Sequence, residues 1–334
     1  MYIHVTFLLL IALVAYVDGR PGGPGAWEGT SWVLLLFACV LVHELAHSVL
    51  ARRMGATVKS ILLLPIGGVS MIENMPERWT QEFWIAAVGP LASIALGVVS
   101  MLATLVAGSA LWPVDLVRGG LLPRLAWANL LLGFFNLLPA FPLDGGRVLR
   151  AELERRHDLW TATRMAAGLG RALAVVMMVA GLFWNLWFLL IGVFVYMGAG
   201  QEEQATALHI RLTGRVVAQF MRSPVAAVEG ATLVDAMRDC WPGPQVVTVG
   251  GRYLGMVMGS DVMAAPAGTL VSEITDREAP VLSPGEDMGR SALDRLIASG
   301  YSALAVVDDW RPVGVLALPD VAAWLESRGS APTR

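Results

Sequence analysis

The chain has 334 residues, of which 56% are hydrophobic and only 15% charged, and its formal net charge is −3 at pH 7. Soluble domains carry roughly a quarter charged residues, so this balance excludes an ordinary soluble protein, and the sign of the charge excludes nucleic-acid binding driven by bulk charge. Two cysteines, Cys39 and Cys240, cannot build a disulfide framework.

In chain order, the apolar stretches predict six membrane-spanning helices, at about 3–17, 31–51, 82–108, 121–139, 161–182 and 185–200. No charged residue occurs from Phe83 to Val114, from Leu125 to Leu143 or from Ala172 to Gln201. Each run is near or above the ~20 residues a spanning helix needs. The N-terminal MYIHVTFLLLIALVAYVDG has the apolar core of a signal peptide but neither its basic lead nor an A-x-A cleavage site, and reads as a short first span; a cleaved signal peptide is the alternative. Gly181 and Asn185 in GLFWNLW predict a tight turn between the last two spans; one long helix over 172–200 is the alternative. Between spans two and three, TVKSILLLPIGGVSMIE (57–73) is rich in β formers and holds a Pro and a Gly-Gly, which predicts a strand or hairpin set against the helices.

Arg52, Arg53, Lys59, Arg78, Arg147, Arg150, Arg155 and Arg156 flank one set of span ends, whereas the opposite loops hold only Arg20 and Arg118. The first set is therefore expected in the cytoplasm, and six spans return the C-terminal part to that side. That part reads as soluble and repeats itself. FMRSPVAAVEGATLVDAMRDC with VVTVGGRYLGMVMGSDVM, and then EAPVLSPGEDMGRSALDRLIASGYSALAVVDDWRPVGVLALPDVAAWL, follow one β-α-β-β-α order. The expected organisation is a membrane domain over 1–200, a linker over 201–214 and a paired α/β domain over 215–334.

The chemistry concentrates in LVHELAHSVL (41–50). On a helix His43 and His47 lie ~40° apart around the axis and about 6 Å apart along it, so both imidazoles reach one ion. Glu44 sits to one side, where it can take a proton from a water without ligating. H-E-x-x-H also arises by chance, but three ionisable groups in a span cost several kcal/mol unless they are paired, metal-bound or wet. The candidates for a third ligand are Glu73, Glu82, Asp144 and His157. Asp144 stands out at the end of an uncharged span in FNLLPAFPLDGGR, where Pro142, Gly145 and Gly146 break the helix and can turn its carboxylate toward a neighbour. Glu73 and Glu82 lie among polar residues and read as solvated, as does His157 in ERRHD. Cys39 shares the His43 face but suits a small buried role, and His4 and His209 read as bystanders.

HELAH in one span with NLLPAFPLDG in a later one resembles the site-2 protease family of intramembrane zinc metalloproteases. The resemblance covers about residues 30–150 and implies one Zn2+ held by His43, His47 and Asp144, with Glu44 as general base. Asn136 takes the place of the family's motif Asn, which implies contact with substrate backbone or oxyanion; helix packing is the other reading. PIGG, with Gly67 and Gly68, resembles the family's membrane-embedded strand that pairs with unwound substrate; a plain structural turn is the alternative.

The repeated unit resembles paired CBS (cystathionine-β-synthase) domains, which implies an adenine nucleotide on Asp261 and Asp320 or a homodimer. Met258 and Ala317 stand where that family carries Ser or Thr, and both aspartates also suit helix N-capping. The expected protein is a bacterial inner-membrane endopeptidase with cytoplasmic CBS domains, acting on a transmembrane or membrane-associated substrate such as an anti-sigma factor or a tethered sigma precursor. The rivals are a catalytically silent metal-binding sensor or scaffold acting through its CBS pair, and a CBS-regulated ion transporter. The second would need polar positions spread through several spans.

Overall fold

The computed structural model describes residues 2–3, 5–18, 20, 25–64, 67–73, 78–112, 120–223, 227–238 and 244–327, with 57–64 and 67–73 as backbone. It divides into two compact units, Met1–Thr206 and Ala207–Arg334.

The first unit is helical: α1 (Val5–Asp18), α2 (Ala26–Arg53), α3 (Trp79–Val106), α4 (Leu121–Asn136), α5 (Asp144–Glu154), α6 (Leu159–Phe183) and α7 (Leu186–Leu212). Three helices among the described residues are long and apolar enough to cross a membrane, at Trp27–Arg53, Trp79–Val106 and Leu159–Phe183. At most 44% of each apolar window is buried inside the protein. The remaining Leu, Val, Phe and Trp surface faces outward, as a lipid solvent favours and water does not.

α6 and α7 are separate helices, because Trp184 and Asn185 break the run and the Asn185 Oδ1 accepts from the Trp187 amide at 2.9 Å. Gly181 lets the α7 backbone at Leu189 approach closely. Residues 201–212, expected as a linker, are the last turns of α7.

Strands β1 (Tyr2–Ile3), β2 (Thr57–Leu64) and β3 (Gly67–Glu73) form a sheet in that order, with β2 and β3 antiparallel. The hairpin expected over 57–73 is present, with Gly67 opposite Leu64 and Gly68 opposite Leu63; Pro65 and Ile66 lie outside the described residues.

α3 buries a stripe of small residues, Ala86, Ala87, Gly89, Pro90, Ser93, Gly97 and Ser100, and small residues let membrane helices pack backbone to backbone. A Cβ on Gly97 would lie 2.9 Å from Leu130 Cγ, and one on Gly133 of α4 would lie 2.9 Å from the Pro90 carbonyl. α4 ends at Asn136, and the turn 137–143 leads into α5, which opens at Asp144. Gly145 and Gly146 carry no side chain against that turn: a Cβ on Gly146 would lie 2.6 Å from the Phe141 nitrogen. Gly198 of α7 packs on Pro142 in the same way.

The second unit holds two copies of one small sheet. Strands β4 (Ala227–Glu229), β5 (Gln245–Val249) and β6 (Arg252–Val257) form the first, and β7 (Val281–Leu282), β8 (Ala303–Asp308) and β9 (Arg311–Ala317) the second. In each the first pair is parallel and the second is an antiparallel hairpin. Helices α8 (Asp235–Arg238) and α9 (Gly259–Ala264) belong to the first copy, α10 (Leu293–Ala298) and α11 (Leu318–Ser327) to the second. The sequence repeat is thus a repeat of topology. Val246, Met256, Ala279 and Ala305 join the two copies in a shared core.

Candidate metal centre

His43 and His47 lie one turn apart on α2, and both are buried, at 4% and 8% exposure. Asp144 is the first residue of α5, where the helix start aims its carboxylate at α2. His43 Nε2 is 3.2 Å from Asp144 Oδ2, His47 Nε2 is 3.3 Å from the same oxygen, and the two Nε2 atoms are 3.2 Å apart. Ligands ~2.0–2.1 Å from a tetrahedral ion stand about 3.3–3.4 Å from one another, so this near-equilateral triangle has the edge of a zinc site.

The far side of each ring agrees. His47 Nδ1 donates to the Ile85 carbonyl at 2.6 Å, which leaves Nε2 as a lone pair facing the centre. His43 Nδ1 lies 2.9 Å from Ser93 Oγ. The Nε2 atoms of both imidazoles and a carboxylate oxygen converge on one spot, and nitrogen and oxygen donors at this spacing fit zinc. His43, His47 and Asp144 are the metal-capable group among the described residues.

Of the other candidates, Glu82 has a partner of its own. Glu82, read as solvated, is buried at 9% exposure and accepts from the Arg150 guanidinium, Nε to Oε1 at 2.9 Å. Arg150 also donates to Glu202 at 2.7 Å and stands over the Phe141 ring, so one arginine ties α5 to α3 and α7. The reading failed because Arg150 is far away in sequence, and only the fold brings it over Glu82. His157 is exposed, the Glu73 side chain and His4 lie outside the described residues, and His209 is in the last turn of α7. Cys39 is buried as expected, and its sulfur accepts from Asn129 at 3.2 Å.

Glu44 is half-buried on α2 beside His43. Asn136 ends α4, with its amide donating to the Leu132 carbonyl of the same helix at 2.9 Å, a local bond that leaves the side-chain oxygen outside it. Asp261 accepts from the Met258 amide at 3.3 Å, and Asp320 from the Ala317 amide at 2.9 Å. Both aspartates thus act as caps, and Asp320 also pairs with Arg222 at 3.0 Å.

Sequence reasoning missed the α3 contribution. A backbone carbonyl, a glycine and a lone serine carry no metal signature, and only the spacing of Ile85, Gly89 and Ser93 on one face could have hinted at it.

An apolar helical unit brings an HExxH helix and a distant aspartate onto one point with the donor set of a zinc metalloprotease, and an α/β pair follows it in the chain. Residues 31–111 and 118–180 match peptidase family M50, and residues 271–327 match the CBS domain. The helical unit is thus similar to peptidase family M50, the family of the site-2 proteases. A zinc metalloprotease of Methanocaldococcus jannaschii is 37% identical over 206 residues, which is 60% of this chain and 57% of that protein. Rip3 of Mycobacterium tuberculosis, which bears the name of a zinc metalloprotease, is 35% identical over 230 residues, 65% of this chain and 58% of its own. The chain thus spans somewhat over half the length of these curated relatives. A solved site-2 protease from Methanocaldococcus jannaschii is 37% identical, covers 60% of this chain and 89% of its own, and superposes with a TM-score of 0.45.

Proposed function

We propose that the protein is an intramembrane zinc endopeptidase that hydrolyses peptide bonds of a transmembrane or membrane-associated substrate. The observation that carries the reading is the triangle of His43, His47 and Asp144, with the Nε2 lone pair of His47 turned inward by the Ile85 carbonyl. Zinc bound there would polarise a scissile carbonyl and bring a water to nucleophilic strength near neutral pH. Glu44, next to His43 and half-buried, takes the proton from the attacking water and hands it to the leaving amine. Apolar helices around the centre keep bulk water away, which strengthens each of these interactions.

A peptide bond within a membrane helix is satisfied by its own hydrogen bonds, so a substrate must first unwind. The β2–β3 hairpin supports a strand partner for it: β3 pairs on one side with β2, and Gly67 and Gly68 open that strand without side chains that would block approach. Asn136 would bind substrate backbone or oxyanion through its carbonyl. Six spans would place the metal within the bilayer and the CBS pair in the cytoplasm of a bacterial cell. The pair would act as a regulatory or dimerising module; an adenine nucleotide on Asp261 and Asp320 would have to compete with the capping bonds those carboxylates make.

The test uses detergent-purified full-length protein, with zinc content and cleavage measured together on a panel of membrane-anchored regulators. About one zinc per chain in wild type and Glu44→Gln, with new substrate termini from wild type alone, is the expected result. Zinc-free, well-folded wild type would sink the reading, and unchanged cellular output from Glu44→Gln would favour the silent scaffold.

A further inference from the structure

α3 turns three positions four residues apart, Ile85, Gly89 and Ser93, toward the histidines of α2. Ile85 offers a carbonyl to His47, Ser93 a hydroxyl to His43, and between them Gly89 has no side chain where the His47 ring lies. Ser93 is 2% exposed, so water does not replace its hydroxyl.

The two partners differ in what they allow. A carbonyl only accepts, so His47 carries its proton on Nδ1. A hydroxyl donates or accepts, so His43 has a choice. With the proton on Nε2, His43 would donate to Asp144 across 3.2 Å and fill the centre with an N–H. With the proton on Nδ1, its Nε2 lone pair is left for an ion. The second form needs Ser93 to accept, and a helical serine can place its own proton on the carbonyl one turn back.

We infer that Ser93 is a positioning residue that holds His43 in the metal-ready tautomer, so that one stripe of α3 arranges both histidines before an ion arrives. This inference rests on the zinc reading of the site. Loss of such a partner lowers metal affinity roughly 10–100-fold.

The test uses full-length protein in detergent with ring-15N histidine, recorded metal-free, and a Co2+ titration against a competing chelator. Wild type should show both His43 and His47 protonated at Nδ1. Ser93→Ala should move His43 toward the Nε2–H form and weaken Co2+ by about 10–100-fold, with His47 unchanged as an internal reference for folding. Ser93→Thr, which keeps the hydroxyl, should restore both signals. Should Ser93→Ala also disturb His47, Ser93→Gly makes the same comparison without the added apolar methyl. An unmoved His43 tautomer in a folded hydroxyl-free variant, or Ser93→Thr weakening Co2+ as much as Ser93→Ala, would overturn the inference. Wild type that binds Co2+ but cleaves nothing would count against the peptidase and leave Ser93 its role. Wild type that binds no Co2+ would remove the metal reading, and the tautomer would still report on Ser93.

Discussion

Asp144 Oδ2 lies 3.2 Å from His43 Nε2, though 101 residues separate the two in the chain. α4 delivers the chain to this point, the 137–143 turn reverses it, and α5 opens with the carboxylate already aimed at α2. Asp144→Ala should keep the helical fold and lose zinc at least about 100-fold in affinity, since even partners one bond further out cost 10–100-fold. Glu44→Gln should keep zinc and lose activity on the order of 10²–10⁴-fold, as removal of a general base does. Zinc content by mass spectrometry beside a cleavage assay separates the two; equal zinc loss in both variants would reassign Glu44 to the ligand set.

Gly89→Ala should abolish the metal site. Its Cβ would overlap His47 Nε2 and lie 2.5 Å from Cε1, so the ring must leave its place. Gly168→Ala on α6 meets nothing within 4 Å and serves as the control. Zinc retained at wild-type level by Gly89→Ala would mean that the α2–α3 packing differs from that described.

Arg150→Ala should destabilise the first unit by about 3–5 kcal/mol, because it strands the buried carboxylate of Glu82 and the half-buried one of Glu202. Replacing Glu82 as well, in Arg150→Met with Glu82→Leu, should recover part of the loss. Thermal unfolding in detergent gives the order of the three proteins, and a double variant weaker than Arg150→Ala would argue against a stranded charge as the cause.

In the second unit, Tyr253 and Tyr301 should ionise well above the ordinary range of a tyrosine. Burial first pushes both phenols up to about 12, followed by the neighbouring Tyr301 and then Asp276 for Tyr253, and by the hydrogen bond to Asp276 for Tyr301. The raised value favours the neutral phenol in the folded state, so the stabilisation is complete below pH ~10 and is lost as pH rises toward 12. Asp276 runs the other way: the Tyr301 hydroxyl donates to it and holds its carboxyl below the usual range, a stabilisation lost on acidification. Absorbance at the phenolate band across an alkaline titration, with Tyr301→Phe as comparison, reads this directly; two ordinary titrations near pH 10 would contradict it.

Much of this molecule is set by local pattern. Long apolar runs with few charges specify α2, α3 and α6, because a membrane tolerates little else, and the 43–47 spacing on a helix puts two imidazoles on one face whatever surrounds them. The Pro and Gly residues around Asp144 end one helix and start another, so a carboxylate at a helix start was foreseeable. The repeated β-α-β-β-α order likewise shows in the turns and hydrophobic periods alone.

The tertiary structure decided what depends on neighbours distant in the chain. It chose Asp144 over Glu82 as the third partner of the histidines, and it gave Glu82 to Arg150. It set the His47 tautomer through the Ile85 carbonyl, a group that every residue carries and no letter announces. It made Gly89 indispensable by laying a ring where a side chain would be. A helix pattern fixes which face a residue occupies, whereas the chemistry of a metal centre depends on ångström distances between faces, and packing alone sets those.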